Sequence, residues 1–177
     1  MNRFFGQRLF IGLAMAMAIV GLSGCSASSE KKEDQPTIYT VGVYYNAGLK
    51  RIPCYWTGTT RTNLAGDGTH EALAGSIFVS GGTVYTAGSY DDGSKFIPCY
   101  WTGTTRRDLA DDGAQYAYAY SIFVSGGTVY TAGHYDDGSK WIPCYWTGTT
   151  KTNLPGDGTH DALDLGFLAR ASGIFVE

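Results

Sequence analysis

A nine-residue block, Ile-Pro-Cys-Tyr-Trp-Thr-Gly-Thr-Thr, occurs three times in this chain and constrains its fold more than any other feature of the sequence. The copies lie at 52–60, 97–105 and 142–150, so the period is 45 residues. A repeat of this length indicates one small unit stacked several times, each copy burying its faces against its neighbours. We therefore expect the chain to fold as an array of similar units.

Each unit is predicted to contain four short strands. In the last full copy they are expected at 121–124, 128–132, 141–146 and 149–154, because these segments are rich in β-branched and aromatic residues. The segments between them are Gly126-Gly127, 136–138 and Thr147-Gly148, which supply the positive φ angles that tight hairpins require. The third strand carries a proline at 53, 98 and 143, which predicts a bulge, a strand start or a locally unpaired edge there. A helical period is suggested only at 160–170.

Both faces of the predicted strands are apolar or aromatic. Cys99 and Trp101 point to one side and Tyr100 to the other, as expected of a sheet that is covered on both faces. The motifs at 76–88 and 121–133, together with Cys-Tyr-Trp in every unit, resemble the blade repeats of β-propellers in bacterial surface proteins and lipoproteins. This resemblance covers 37–177 and implies an all-β, propeller-like architecture, with repeats at about 37–76, 77–121 and 122–177. It implies no activity.

Three units leave the closure of the array open, because closed propellers usually contain at least four blades. The chain enters on the second strand type at 37–40 and ends on the first type at 172–176, so the last strand can complete the first unit. A β-trefoil, which also contains three units, is the alternative fold. Exposed aromatic faces on the outermost blades predict a homo-oligomer or a complex with another envelope protein. A shortened relative of a longer array, with no independent function, is a further alternative.

The N-terminal segment has the zones of a secretory signal: Arg3 and Arg8, an apolar run at 9–20, and small residues from 21 onward. It ends in Leu-Ser-Gly-Cys at 22–25, which resembles the lipobox of bacterial lipoproteins. The resemblance implies that residues 1–24 are removed and that Cys25 is lipidated, which makes the membrane a partner through the lipid. Residues 26–36 are polar and are predicted to be a disordered tether. Ser26, in place of Asp, favours the outer membrane over the inner by resemblance to the enterobacterial sorting rule, with the domain periplasmic or surface-exposed.

The charge and the cysteines exclude several classes of function. Without residues 1–24 the chain keeps 11 of its 13 basic side chains against 16 acidic ones, a net charge of −5, so nucleic acid is not an expected partner. Cys54, Cys99 and Cys144 occupy one repeat position and are expected to be small buried side chains, unpaired by disulfides. Their neighbours supply no metal ligands, and we expect neither a metal site nor a cofactor. The Asp-Gly turns are expected to be turns and not calcium loops.

Candidate ligand-binding residues are sought where the copies differ, since positions shared by every copy are explained by folding. The candidates are His70, Glu71, Tyr116, His134, Tyr135, Trp141, His160 and Asp161. The sequence contains no nucleophile elbow, HExxH motif or phosphate loop, so a non-enzymatic function is expected. The favoured hypothesis is a lipid-anchored protein-interaction scaffold, and the alternative is a carbohydrate-binding module. A glycosidase that uses Glu71 or Asp161 is the remaining hypothesis.

Replacing Cys25 by Ser removes the thiol that the lipobox presents for acylation. We expect the Cys25→Ser chain to lose incorporation of labelled palmitate and to leave the membrane fraction. Labelling that is unchanged by the substitution would contradict the lipoprotein hypothesis.

Overall fold

The computed structural model describes residues 35–155. The predicted signal peptide, Cys25, most of the tether, the 160–170 segment, His160, Asp161 and the terminal strand at 172–176 lie outside the described residues.

The described residues form eleven strands in three antiparallel sheets, each built from consecutive strands of the chain. The first sheet contains β1 (Tyr39–Tyr45), β2 (Arg51–Thr57) and β3 (Thr60–Asn63). The second contains β4 (Ala72–Ser80), β5 (Thr83–Asp91), β6 (Phe96–Thr102) and β7 (Thr105–Asp108). The third contains β8 (Ala117–Ser125), β9 (Thr128–Asp136), β10 (Trp141–Thr147) and β11 (Thr150–Asn153). Within 35–155 there is no helix of the length and apolarity needed to cross a membrane.

This architecture confirms the all-β prediction and the four-stranded repeat. Separate sheets of consecutive strands are the arrangement of propeller-type blades, and the trefoil alternative is not adopted. The first sheet has three strands because the chain enters it on the second strand type, as the sequence predicts. We use "inner strand" for the first strand type, which is β4 in the second sheet and β8 in the third.

The prolines of the third strand type lie just beyond the residues that pair with the fourth strand type. In the second sheet β7 pairs with β6 as far as Cys99, one residue after Pro98, and the Pro98 carbonyl accepts a bond from Leu109 N–H beyond the end of β7. Pro53 and Pro143 make the same bond to Leu64 and Leu154. The missing proline N–H therefore costs the ladder nothing, which confirms the locally unpaired edge.

Burial along the third strand shows which faces of each sheet are covered. In the middle sheet Tyr100 and Trp101, on opposite faces of β6, are both buried. In the first sheet Trp56 is only half-buried, and in the third sheet Tyr145 is only half-buried, whereas Trp146 is fully buried. The tryptophan face is thus covered where a sheet precedes it, whereas Tyr55 and Tyr145 are half-buried alike. The first sheet keeps a partly open tryptophan face.

The buried tryptophans join each sheet to the one before it. Trp101 Nε1–H donates to the carbonyl of Ala65, in the loop that leaves the first sheet, at 2.8 Å, and Trp146 donates to Ala110 at the same distance. Backbone bonds run beside these contacts, from Ala65 N–H to the Thr104 carbonyl and from Ala110 N–H to that of Thr149. A buried indole N–H without an acceptor is costly, so these contacts fix how successive sheets meet. We call each such junction a seam.

A β-bulge in the inner strand makes one glycine of the neighbouring strand obligatory. The register of β4 against β5 shifts between Ala74 and Ser76, and that of β8 against β9 shifts between Ala119 and Ser121. The carbonyl just before each bulge then presses on the partner strand. A Cβ on Gly88 would lie 1.8 Å from the Leu73 carbonyl oxygen, and one on Gly133 would lie 1.8 Å from that of Tyr118. No side chain fits at either position.

The Gly88→Ala change should therefore separate β4 from β5. Overpacking typically costs about 1–3 kcal/mol, and because the contact here is with backbone that cannot rotate away, we expect a loss of about 3 kcal/mol in the free energy of unfolding, measured by urea denaturation. Gly75→Ala is the matched control, because a Cβ at Gly75 meets no atom within 4 Å. Equal stability of the two variants would show that the bulge contact is not close.

Candidate functional site

Six aromatic side chains gather where the second sheet meets the third. Trp141 lies 4.4 Å from His134 and 6.1 Å from Tyr118 between ring centroids, and Phe96 lies 5.4 Å from Tyr118. Tyr116 lies 6.4 Å from both Phe96 and Trp141. These rings and Tyr120 are called the aromatic cluster: Phe96, Tyr116, Tyr118, Tyr120, His134 and Trp141.

The strands bring these rings together at one end of the sheets. Phe96 and Trp141 are the first residues of β6 and β10, and Tyr116 precedes β8 and forms a parallel bridge with Phe96. Tyr118 of β8 stands directly opposite His134 of β9. The bulge of β8 adds Tyr120, which stacks on Tyr118 with ring centroids 6.1 Å apart.

The aromatic cluster has a buried base and an open rim. His134 is buried, and its Nε2 lies 3.3 Å from the Tyr120 hydroxyl. Burial raises the pKa of the Tyr118 hydroxyl, and the charge of Arg51 opposes this rise. Tyr116 is 43% exposed. The aromatic cluster is thus a partly exposed surface that rests on His134 and Tyr120. The charge of Arg51 acts on it at Tyr118.

Every member of the aromatic cluster stands at a position where the repeats differ. Phe96 and Trp141 correspond to Arg51 of the first unit, and Tyr116 corresponds to Glu71. The other correspondences are Tyr118 with Leu73, Tyr120 with Gly75, and His134 with Ser89. Residues needed only for the fold would recur in each unit, as Trp101 and Trp146 do. The aromatic cluster is therefore specific to this one seam.

The matching place at the seam between the first and second sheets holds an ion pair. Arg51, the first residue of β2, donates from Nε to Glu71 Oε2 at 3.0 Å and makes a second bond from Nη2. The hydrogen bond from Arg51 holds the pKa of Glu71 below its usual range. The carboxylate is thus stabilised in its charged form, which opposes the role of general acid that a glycosidase would require.

His70 is held inside its own loop. Its Nδ1 lies 2.5 Å from Asp67 Oδ2, and Asp67 Oδ1 accepts the His70 N–H at 2.8 Å. Hydrogen bonds from the His70 backbone and side chain hold the pKa of Asp67 well below its usual range. The ring also packs against Gly93, where an added Cβ would lie 2.8 Å from Nε2. His70 therefore serves to fix the loop against the next hairpin.

Tyr135 lies on the opposite face of β9 from His134, as the alternation of a strand requires. It is 8% exposed, its hydroxyl accepts a bond from Asn153 Nδ2 at 3.0 Å, and Lys151 Nζ lies 3.3 Å from its ring centroid. It lines a separate acidic groove of about 560 Å³ together with Asp112 and Asp136.

The turn carboxylates bind backbone groups. Asp92 Oδ1 accepts the N–H groups of Ser94 and Lys95, and Asp137 makes the same pair of bonds in the next unit. Over residues 35–155 no three His, Cys, Asp or Glu side chains are placed to hold a metal ion. The three cysteines at 54, 99 and 144 are free and buried, as expected.

Of the eight predicted candidates, the structure brings together three: Tyr116, His134 and Trp141. Glu71 and His70 lie at the neighbouring seam and loop, Tyr135 lies on another face, and His160 and Asp161 lie outside the described residues. Tyr118 and Tyr120 were not among the candidates, because strand aromatics were assigned to the core. Their difference from Leu73 and Gly75 is the signal that identifies them.

The Arg51–Glu71 pair can be exchanged for the aromatic pair of the next seam. Arg51→Phe alone leaves the Glu71 carboxylate without its cation, whereas Arg51→Phe with Glu71→Tyr reproduces Phe96 and Tyr116. We expect a coupling of about 1 kcal/mol between the two substitutions in urea unfolding at pH 7.

The pH dependence of the native pair has a definite sign. Because the pKa of Glu71 is lowered by folding, its contribution is present above the unfolded value of about 4.3 and is lost as the pH falls through the folded value. The stability difference between the native chain and Glu71→Gln should therefore shrink below about pH 4. A difference that is independent of pH would show that the ion pair does not contribute.

No protein-family model matches the sequence, and no curated protein matches it. Among solved structures, the chain is similar to a fucose lectin from Kordia zhangzhouensis that was determined in complex with methyl-fucoside. The two are 13% identical, the match covers 68% of this chain and 92% of the lectin, and the TM-score is 0.49.

Proposed function

We propose that this protein is a lipid-anchored envelope module that binds a carbohydrate at the aromatic cluster. The observation that carries the proposal is the convergence of six aromatic side chains at one seam, all at positions where the repeats differ, with Tyr116 43% exposed at the rim. A platform of this kind suits a pyranose, whose apolar C–H face packs on the negative face of an aromatic ring.

Polar groups around the platform supply orientation. A sugar also presents hydroxyl groups, which need donors and acceptors beside the apolar contact. The Tyr116 and Tyr118 hydroxyls of the aromatic cluster are such groups, and the charge of Arg51 acts on Tyr118. The role proposed is binding, since Glu71 is paired with Arg51 at the neighbouring seam and is not part of the aromatic cluster.

The envelope part of the proposal rests on the N-terminal sequence. Lipidation at Cys25 would anchor the domain through the polar segment 26–36, with the outer membrane favoured by Ser26. The aromatic cluster would then face the periplasm or the cell surface, where glycans are available. The protein-interaction scaffold is the second candidate function, and the half-open face of the first sheet at Trp56 favours it.

Removal of either Tyr116 or Trp141 from the aromatic cluster should weaken sugar binding. The full chain is titrated, in a detergent without a sugar headgroup, with methyl glycosides of glucose, galactose, mannose, fucose and N-acetylglucosamine, and binding is followed by calorimetry. We expect at least one glycoside to bind, and Tyr116→Ala and Trp141→Ala to weaken it by about tenfold or more, since each removes a stacking face worth about 1–1.5 kcal/mol or more.

Tyr130→Ala is the matched control. Tyr130 is also a half-buried strand tyrosine, but it recurs in every unit and lies outside the aromatic cluster. Its loss should leave affinity unchanged, and circular dichroism of each variant reports retained folding. A panel without binding, or binding that Tyr116→Ala and Trp141→Ala leave intact, would contradict the proposal.

A further inference from the structure

Among residues 35–155 the first sheet has no inner strand, whereas each of the other two sheets has one. β5 pairs with β4 and β9 pairs with β8, but β1, the equivalent strand, pairs with β2 alone among the strands at 35–155. The other edge of β1 therefore presents backbone N–H and C=O groups with no described partner. Such an edge is a template for another strand.

Gly42 occupies the place in β1 that Gly88 and Gly133 occupy in β5 and β9. At those two positions glycine is obligatory, because the inner-strand carbonyl lies 1.8 Å from where a Cβ would be. At Gly42, among residues 35–155, a Cβ would meet only the Trp56 ring, at 3.5 Å, which is ordinary contact. The described residues thus give no reason for a glycine here, whereas an inner strand with the same bulge would give one.

Trp56 occupies the repeat position of Trp101 and Trp146, but the described residues contain no sheet that precedes it. Trp101 and Trp146 are fully buried and donate to the carbonyls of Ala65 and Ala110 in the preceding loops. Trp56 is half-buried, and no acceptor for its indole N–H lies in the described part of the chain. The residue that follows the third sheet in the register of Ala65 and Ala110 is Pro155.

The C-terminal segment has the sequence of an inner strand. Residues 171–176 read Ala-Ser-Gly-Ile-Phe-Val, against Ala-Gly-Ser-Ile-Phe-Val at 74–79 in β4 and Ala-Tyr-Ser-Ile-Phe-Val at 119–124 in β8. In both described cases this strand follows the seam loop of the preceding sheet. In the sequence, Pro155 and segment 171–176 thus follow each other in the same order as the seam acceptor and the inner strand of the other two units.

We infer that the first sheet is completed by a second copy of this chain, which supplies segment 171–176 to the open edge of β1 and the Pro155 carbonyl to Trp56. The donor is another copy because three sheets are fewer than a ring of blades usually contains. The seams also run head to tail, so a second copy continues the same junction, and two copies give six sheets.

The seam between copies lacks one bond of the internal seams. Ala65 and Ala110 donate their N–H groups to the carbonyls of Thr104 and Thr149, but Pro155 has no N–H to donate to Thr59. The contact between copies is accordingly weaker than the seams within a chain. Pro155→Ala adds the missing donor.

Native mass spectrometry of the full chain, released from a detergent without a sugar headgroup, tests the inference. We expect a dimer for the native sequence and a folded monomer for Gly42→Ala, because the new Cβ would clash with the incoming carbonyl but makes only ordinary contact with the Trp56 ring. Gly75→Ala, with open space around its Cβ, should remain a dimer.

Trp56→Phe should raise the dissociation constant of the dimer roughly tenfold, because it removes the indole N–H from each seam between copies. Trp101→Phe, at a seam within one chain, should leave the dissociation constant unchanged.

Exchange between chains identifies the donor. A chain that ends at residue 170 should be monomeric alone, but mixed with Gly42→Ala it should form a heterodimer, in which its intact β1 receives the other chain's tail. A native chain that stays monomeric at every concentration, with a melting temperature that Gly42→Ala lowers, would show that each chain closes its own first sheet and would overturn the inference. A dimer that Gly42→Ala leaves unchanged would overturn it as well. Neither outcome bears on sugar binding at the aromatic cluster, which lies at an internal seam.

Discussion

The hydrogen bond from a buried tryptophan to the loop before it is the contact on which the arrangement of sheets depends. Each indole presents one N–H that cannot reach water once the ring is covered, and the carbonyl two residues after the preceding outer strand is its acceptor, as Trp101 and Ala65 show. The position of a sheet is thus set by the sheet before it. This gives the array a direction, with a tryptophan face at one end and a tyrosine face at the other.

Much of the fold could be predicted from the sequence, because the 45-residue repeat shows which segments form the equivalent strands of each unit. The predicted strand at 141–146 corresponds to β10, and that at 149–154 to β11. The inner strand was predicted too short, since β8 begins at Ala117 and not at 121. Its first half contains the bulge at Tyr120, and the extra residue breaks the two-residue alternation by which strands are recognised.

The candidate site was less accessible to sequence reasoning, for two physical reasons. Ligand residues were sought in loops, whereas Tyr118 and Tyr120 lie in the first half of strand β8, where both side chains are half-buried. Tyr135 was grouped with its neighbour His134, although adjacent strand residues point to opposite faces. The Arg51–Glu71 pair joins two units across twenty residues, and only the observed seam shows that positions 96 and 116 are its counterparts.

Each seam contains both repeated and variable positions, and the two have different roles. The tryptophan bond and the bulge glycine recur and hold neighbouring sheets together, while a second position, filled by Arg51 and Glu71 at one seam and by Phe96 and Tyr116 at the next, is free to change. An ion pair occupies this position at one seam, and an aromatic pair with an exposed Tyr116 occupies it at the next. Because the seam tryptophan and the bulge glycine are the same at both seams, the chemistry of this position can change at one seam without altering the contacts that join the sheets.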